Sequence, residues 1–428
     1  MSLFARLTHN SLWLLFARVG AQVSSVLVIY LLARRLSVTG FGEYSFIVAT
    51  IMIGNTLTTF GSDMYLIREI AANAGFFRLP SALILQLFLS CVYIGVISWL
   101  APHFPNQDPE SILALRIYSF ALIPLAFFTT FTSALRGGQK MASYASLNLL
   151  TSVVQVVAIY TLVQRGTDLI RLAYVSVSIQ IAGAVTGGIT CAVNFPNFWK
   201  NFRFSFVETI DLFIACIPIA LIASLGILYQ KLSITMLSLV GSASMAGWFS
   251  AATRVIEAAR IGHISILTAI YPAMANAKEK QDSLEIFKIS WILLLVVSGA
   301  ATLLVFFLAR PIVNIFFGME YQTSISILRI LSFTIIPYAI NSYLTLELLV
   351  EKEAKTLIQV LLVSLIMLSL FNLWLIPRAG GIGASWSFLI AESIQAFLLF
   401  GHWKLYPFHV PKSFFPDKGA SNELSNLS

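Results

Sequence analysis

The chain has 428 residues, of which 58% are hydrophobic and only 11% are charged. Soluble globular proteins contain about 25% charged residues. This composition therefore excludes a soluble globular protein and indicates a membrane protein. At roughly 36 residues for a span and its loop, the length accommodates about twelve transmembrane helices and no soluble domain. The net charge is +8, from 27 Lys and Arg against 19 Asp and Glu. In a membrane protein such an excess concerns orientation and anionic lipid, and we expect no nucleic acid partner.

Apolar runs bounded by charges, Pro and Gly predict twelve helices, called spans one to twelve. They cover residues 10–33, 40–66, 80–101, 111–134, 141–163, 169–193, 207–230, 243–274, 285–309, 322–348, 355–376 and 382–405. The least regular is span eight, because it contains Arg254, Glu257, Arg260 and His263. A span is nevertheless required here, because span seven ends on the outer side and span nine begins on the cytoplasmic side.

The distribution of Lys and Arg predicts the orientation, since these residues accumulate in short cytoplasmic loops. With the N-terminus inside, 15 cations lie on the cytoplasmic side, 7 on the outer side and 5 within spans. The outer seven are Arg34, Arg35, Arg165, Arg171, Lys231, Arg310 and Arg378, and the five within spans are Arg18, Arg116, Arg254, Arg260 and Arg329. Both termini are therefore predicted to be cytoplasmic.

The chain contains an internal repeat. Residues 111–126 (SILALRIYSFALIPLA) match residues 324–339 (SISILRILSFTIIPYA) at 10 of 16 positions with an offset of 213. This offset is almost half of the chain length, so the match indicates two lobes of six helices each. Because six is even, the two lobes share one orientation across the membrane.

The predicted fold is thus an all-α polytopic membrane protein with two six-helix lobes around a central cavity. The N-terminal lobe is predicted at 1–203, the C-terminal lobe at 204–410 and a polar cytoplasmic tail at 411–428. The repeat also pairs Pro124 with Pro337, one third of the way into spans four and ten. A proline there removes a backbone hydrogen bond and kinks the helix, which either only shapes packing or lets the lobes bend.

Arginines within spans are the strongest functional signal, because an Arg at the bilayer centre costs roughly 2.5–3.5 kcal/mol and rarely faces lipid. Arg18 lies about 12 Å into span one. It is predicted either to bind an anionic substrate in the cavity or to form a buried pair with Asp63 or Glu69. Arg116 and Arg329 lie close enough to the membrane boundary to reach it.

Arg254, Glu257 and Arg260 recur at a spacing of three, so Glu257 can pair with either arginine. One carboxylate cannot neutralise two guanidiniums, and the surplus positive charge suits a cavity that binds phosphate oxygens. The alternatives are that the helix is partly interfacial or that the charges close an internal ion-pair network.

Asp63, Glu257 and Glu392 are candidate coupling groups or charge partners, since an acid at membrane depth can carry a proton or sodium. The sequence predicts no cofactor and no metal site, because the five histidines show no ligand spacing and no phosphate-binding loop occurs. The three cysteines lie in apolar runs and are predicted to be buried hydrophobic residues.

The segment RRLSVTGFGEYSFIVATI at 34–51, with REIA at 68–71, resembles the polysaccharide flippases of the MOP (multidrug/oligosaccharidyl-lipid/polysaccharide) superfamily. The segment L-R-I-x-S-F-x-x-I-P, continuing into ALRGGQK at 134–140, is similar to span four of that family. The resemblance implies a MATE-like fold and a Wzx-type flippase of O-antigen or capsule repeat units. It also implies that Arg18, with Arg254 or Arg260, lines the cavity.

The implied substrate is an undecaprenyl-diphosphate-linked oligosaccharide, moved by alternating access in a bacterial inner membrane. Membrane lipid, a polysaccharide polymerase and a chain-length regulator are implied partners, and the protein is not expected to be an enzyme. Two alternatives stay open: a MATE-like cation-coupled exporter, which would favour an acidic cavity, and a membrane-embedded polymerase or ligase, which would favour large outer loops.

Overall fold

The computed structural model of the chain consists of α-helices and their connections. It describes residues 3–73, 76, 78–164, 166, 168–196, 198, 205–260, 280–350 and 353–405. The helices are α1 (Leu3–Ala33), α2 (Val38–Thr59), α3 (Ser62–Asn73), α4 (Leu79–Leu100), α5 (Pro109–Ser119), α6 (Leu122–Gly137), α7 (Met141–Gln164), α8 (Leu169–Asn194), α9 (Phe206–Met236), α10 (Ala243–Ala259), α11 (Lys280–Phe316), α12 (Thr323–Ser332), α13 (Ile335–Val350) and α14 (Ala354–Leu405). Short helical turns lie at Ala101–His103, Leu237–Gly241 and Met319–Tyr321.

The helices account for about twelve spans, as predicted. Within the described ranges, seven stretches are long and apolar enough to cross a membrane, and two bent pairs, α2 with α3 and α12 with α13, bring the number to nine. One of the seven is α14, whose 52 residues supply two spans. Helix α1, apolar over Val19–Ala33, supplies span one, and α10 supplies the described part of span eight, of which 261–274 lie outside the described residues.

Helix α14 turns back on itself at Gly380, which has φ 54° and ψ −130°. Glycine adopts this conformation without steric cost because it has no Cβ. A Cβ at Gly383 would overlap the carbonyl oxygen of Leu375, so the two arms of α14 pack tightly at the turn. The predicted boundary between spans eleven and twelve is confirmed.

The internal repeat is confirmed in the backbone of spans four and ten, both of which are interrupted at the same place. In span four the amides of Phe120 and Ala121 bond to the carbonyls of the residues three positions earlier, at 3.2 and 2.9 Å. In span ten the amides of Phe333 and Thr334 do the same, at the same two distances. The two interruptions are separated by the same offset as the two matching segments of the sequence.

The two repeated prolines differ from the prediction in one respect. Pro124 and Pro337 are the third residues of α6 and α13, so each lies in the first turn of the helix that follows the interruption. The first four amides of a helix have no partner within it, so proline costs no hydrogen bond there. The interruption precedes each proline instead of being centred on it.

Span two was predicted as one helix over 40–66, which is wrong. It is divided at Phe60 and Gly61, which have φ of 52° and 69°, and α3 begins at Ser62. The two parts are bent by 42°. Asp63 therefore lies in the first turn of α3, where a carboxylate interacts favourably with the helix dipole.

The two lobes meet at one end of the molecule, called here the closed end and formed by the connections 34–37, 101–108, 237–242 and 317–322. Arg34 donates to the carbonyls of Asn314 and Ile315 at the C-terminus of α11, at 3.2 and 2.6 Å. Gln107 donates to the Ser238 carbonyl at 3.1 Å and to its hydroxyl at 3.0 Å. These bonds link elements of the predicted N-terminal lobe to elements of the predicted C-terminal lobe.

Helices α2 and α10 cross at the closed end with their backbones in contact. A Cβ at Gly42 would overlap the carbonyl oxygen of Ala243, and a Cβ at Gly247 would overlap that of Val38. Small residues permit such an approach in membranes, where packing replaces the hydrophobic effect between helices. The two glycines therefore set the distance between the lobes.

We expect Gly42→Ala to lower the midpoint of thermal unfolding in detergent, because backbone atoms must move apart and overpacking costs typically about 1–3 kcal/mol. Gly95→Ala on α4 is the matched control, since a Cβ there would meet nothing within 4 Å. Equal midpoints for the two variants would contradict a requirement for the close approach.

Candidate functional site

Several charged groups of the C-terminal lobe lie near the middle of the membrane. Arg254 is about 17 Å along α10 from the start of that helix at the closed end. Lys231 is about 15 Å and Glu392 about 18 Å from the same end, counted from Gly241 and Gly380. The hydrocarbon core is about 30 Å thick, so these side chains need partners within the protein or in water.

Lys231, Glu257 and Arg254 form one ion-pair network, called here the triad. The ammonium of Lys231 donates to Oε1 of Glu257 at 3.1 Å. The guanidinium of Arg254 donates to Oε2 of the same carboxylate at 3.0 Å. One carboxylate therefore bridges two cations, and the triad has a surplus of positive charge.

The members of the triad differ in accessibility. The side chain of Lys231 is only 4% exposed, whereas those of Arg254 and Glu257 are 21% and 38% exposed. Arg254 also lies close enough to Tyr44 of α2 to interact with it electrostatically. Arg254 and Glu257 are therefore the accessible members of the triad, with Arg254 near α2 of the predicted N-terminal lobe, and Lys231 is buried.

Arg260, at the C-terminus of α10, belongs to a second cluster. Its guanidinium lies 3.8 Å from the centre of the Tyr338 ring and donates to the hydroxyl of Thr334 at 3.1 Å. Within the described chain no carboxylate oxygen lies within 4.0 Å of it. The charge of this buried guanidinium is therefore stabilised by the face of an aromatic ring and a hydroxyl instead of by contact with an acid.

Glu392, on the second arm of α14, is buried beside this cluster. Its Oε2 accepts a hydrogen bond from the hydroxyl of Tyr229 on α9 at 2.8 Å. Its backbone carbonyl accepts one from the side chain of Asn341 on α13 at 3.1 Å. Helices α9, α13 and α14 thus meet around one acid, close enough to Arg260 for the two charges to interact.

The second cluster is specific to the C-terminal lobe. Thr334, Tyr338 and Asn341 correspond, at the offset of 213, to Ala121, Leu125 and Phe128 in the N-terminal lobe. Three apolar positions of one repeat are therefore polar in the other. This difference between the repeats is the sequence signal for residues that contact Arg260 and Glu392. The sequence predictions above do not include these contacts.

The predicted site residues fall into three groups. The spacing allows Glu257 to pair with either arginine, and the structure shows that it contacts Arg254. Arg260 is directed to Thr334 and does not share the carboxylate. Asp63 is half-buried in α3 and is separate from both clusters. Arg18 lies within α1, but its side chain lies outside the described residues, so its predicted pairing with Asp63 or Glu69 stays a prediction.

The assignment of Lys231 to the outer loops was wrong. The sequence predicts that span seven ends at residue 230, but α9 continues to Met236 and a further helical turn extends to Gly241. Lys231 is consequently one of the most buried charged groups in the described chain. A lysine in a sequence usually marks the end of a predicted span. The pairing with Glu257 in the structure is what shows that Lys231 lies within one.

The comparisons with known proteins agree with this architecture. Residues 7–278 match the protein family described as "Polysaccharide biosynthesis protein". The chain belongs to this family. No curated protein sequence matches it significantly.

Three solved structures illustrate the fold that this member of the polysaccharide biosynthesis family adopts. A multidrug resistance MATE family transporter of the MOP superfamily, inward-facing, has a TM-score of 0.73 at 13% identity, over 90% of this chain and 94% of that one. The lipid II flippase MurJ, in an inward closed conformation, also has a TM-score of 0.73 at 13% identity, over 91% and 87%. A MOP superfamily transporter from Pyrococcus furiosus, described as having a binding pocket of reverse polarity, has 0.66 at 15% identity, over 92% and 95%. The chain is thus a multi-pass membrane protein with the MOP transporter fold.

We expect Tyr229→Phe to destabilise the protein by about 1–3 kcal/mol, because it removes the hydroxyl donor from a buried carboxylate. Adding Glu392→Gln should recover part of this loss, since a neutral amide is less costly to bury than an unsatisfied carboxylate. Thermal unfolding of the two single variants and the double variant gives the coupling.

The control is Tyr174→Phe, because Tyr174 is exposed on α8. Strictly additive effects of the two changes would contradict an energetically significant bond between Tyr229 and Glu392.

Proposed function

We propose that the protein is a flippase that moves a lipid-linked oligosaccharide, carried on a polyprenyl diphosphate, from the cytoplasmic to the periplasmic leaflet by alternating access. The observation that carries the proposal is the accessible guanidinium of Arg254 in a triad that has two cations for one carboxylate, the second cation being the buried Lys231. A planar guanidinium such as that of Arg254 grips two oxygens of a phosphate at once. Arg18 and Arg260 are the further candidate cations.

The substrate chemistry explains why such a site is needed. A diphosphate sugar head cannot cross hydrocarbon unaided, because burying its charges and hydroxyls without partners is very costly. The prenyl tail needs no such help, since it is soluble in the bilayer. A two-lobe protein can therefore enclose the head between its lobes while the tail stays in lipid.

Fold alone does not separate a flippase from a MATE-like exporter, since the two compared structures have the same TM-score. Charge favours the flippase, because an exporter of cations requires an acidic cavity and the triad has one carboxylate for two cations. The reverse polarity described for the Pyrococcus furiosus transporter is in keeping with function changing through pocket charge on this fold. A polymerase or ligase would favour large outer loops, and the described connections at the closed end are short.

The proposal includes a location and a starting conformation. The predicted cytoplasmic side carries 15 cations against 6 on the outer side, since Lys231 lies within α9, so the closed end faces the periplasm of a bacterial inner membrane. The bonds of Arg34 and Gln107 close that end, which corresponds to an inward-facing state. A polysaccharide polymerase and a chain-length regulator would act on the product. Spans four and ten would bend at their interruptions, which Pro124 and Pro337 follow. Asp63 and Glu392 are the candidates for proton or sodium coupling.

We expect Arg254→Ala to reduce surface polysaccharide by about tenfold or more in a host lacking its own copy of the gene, since a lost charge-assisted contact costs about 1.5–3 kcal/mol. Arg254→Lys should keep part of the activity, because a point charge remains without the planar fork. Surface polysaccharide is measured at matched protein levels in the membrane, with lipid-linked repeat units quantified in parallel.

Arg171→Ala is the control, since Arg171 forms an exposed ion pair with Asp168 at the closed end. Undiminished export by the Arg254→Ala variant would contradict the proposal. A loss of resistance to cationic dyes with normal polysaccharide would favour the exporter.

A further inference from the structure

Lys231 occupies an unusual position for a charged residue. It lies on α9 near the middle of the membrane, it is sealed from the space between the lobes, and its ammonium is bonded to Oε1 of Glu257. An ammonium is costly to bury unless it is paired with an acid. The carboxylate of Glu257 is thus held from behind by a partner that a ligand in the cavity cannot reach.

The other oxygen of Glu257 is bonded to Arg254, which faces the accessible space. An anion that binds the guanidinium must compete with this oxygen. Without Lys231 the carboxylate would belong to Arg254 alone, and the pair would have no net charge. With Lys231 present, a displaced carboxylate keeps a cationic partner and repels the incoming anion less.

We propose that Lys231 is a positioning residue that acts through Glu257. It holds the carboxylate back, so that the guanidinium of Arg254 is available to the diphosphate of the substrate, and Glu257 returns to Arg254 when the substrate leaves. This inference rests on the proposed function, because it takes Arg254 to be an anion-binding group. It adds that a residue with no access to the substrate controls the affinity for it.

The test measures binding of farnesyl diphosphate, a short prenyl diphosphate, to the full-length protein purified in detergent. K231M should weaken binding by about tenfold, because Glu257 then pairs with Arg254 alone. E257Q should tighten binding by several-fold, since the competing carboxylate is gone. In the double variant K231M/E257Q binding should be at least as tight as in the unmodified protein.

Two controls separate positioning from a merely structural role. K231R keeps the positive charge beside Glu257 and should restore most of the affinity. Farnesol, which has the same tail without the diphosphate, should bind K231M and the unmodified protein equally. The double variant removes both members of the buried pair, so the only charge that loses its partner is that of the accessible Arg254, and the test stays valid if K231M alone fails to fold.

The outcomes distinguish the inference from the function on which it rests. Equal weakening by K231M with and without E257Q would show that Lys231 contacts the ligand directly. No effect of K231M in either background would show that the ion pair is only structural. Either outcome overturns the positioning role and leaves the proposed function standing. Binding unaffected by R254A, or absent in the unmodified protein, would overturn the proposed function together with this inference.

Discussion

A charge in the middle of a membrane must be paired within the protein or face water, and the candidate site follows from this constraint. The long side chain of Lys231 reaches from α9 to Glu257 on α10, and Arg254 takes the second oxygen of the same carboxylate. The buried ammonium and the more exposed guanidinium each bond to one oxygen of this carboxylate, so the guanidinium shares its acid partner with a second cation. The triad therefore has a surplus of positive charge, and its guanidinium is the accessible cation.

The backbone obeys a similar constraint, because lipid cannot satisfy an amide or a carbonyl. At the interruptions of spans four and ten, two successive amides keep a hydrogen bond by bonding to the carbonyls three positions back. The hydroxyls of Ser119 and Ser332 also bond three positions back, both at 2.7 Å. The interruption in span ten then presents Thr334 to Arg260, so a feature common to both repeats became a polar site in one of them.

The two lobes are alike in architecture and different in chemistry, which is what alternating access around an asymmetric ligand requires. The closed end holds the lobes together through glycines and through bonds to backbone carbonyls, neither of which depends on the ligand. The polar clusters lie deeper, in the C-terminal lobe. Under the proposed function, conformational change and substrate recognition would therefore belong to separate parts of the same helices.

Composition, run length and the repeat were enough to determine the class of protein, its spans and its two-lobe design, because these follow from the bilayer thickness and from local periodicity. They also identified Arg254 and Glu257 as neighbours on one helix. Only the tertiary structure decided that Lys231 lies inside, that Arg260 turns to Tyr338, and that Glu392 bonds to Tyr229. Those contacts join helices far apart in sequence, and their pairing depends on packing that no local pattern encodes.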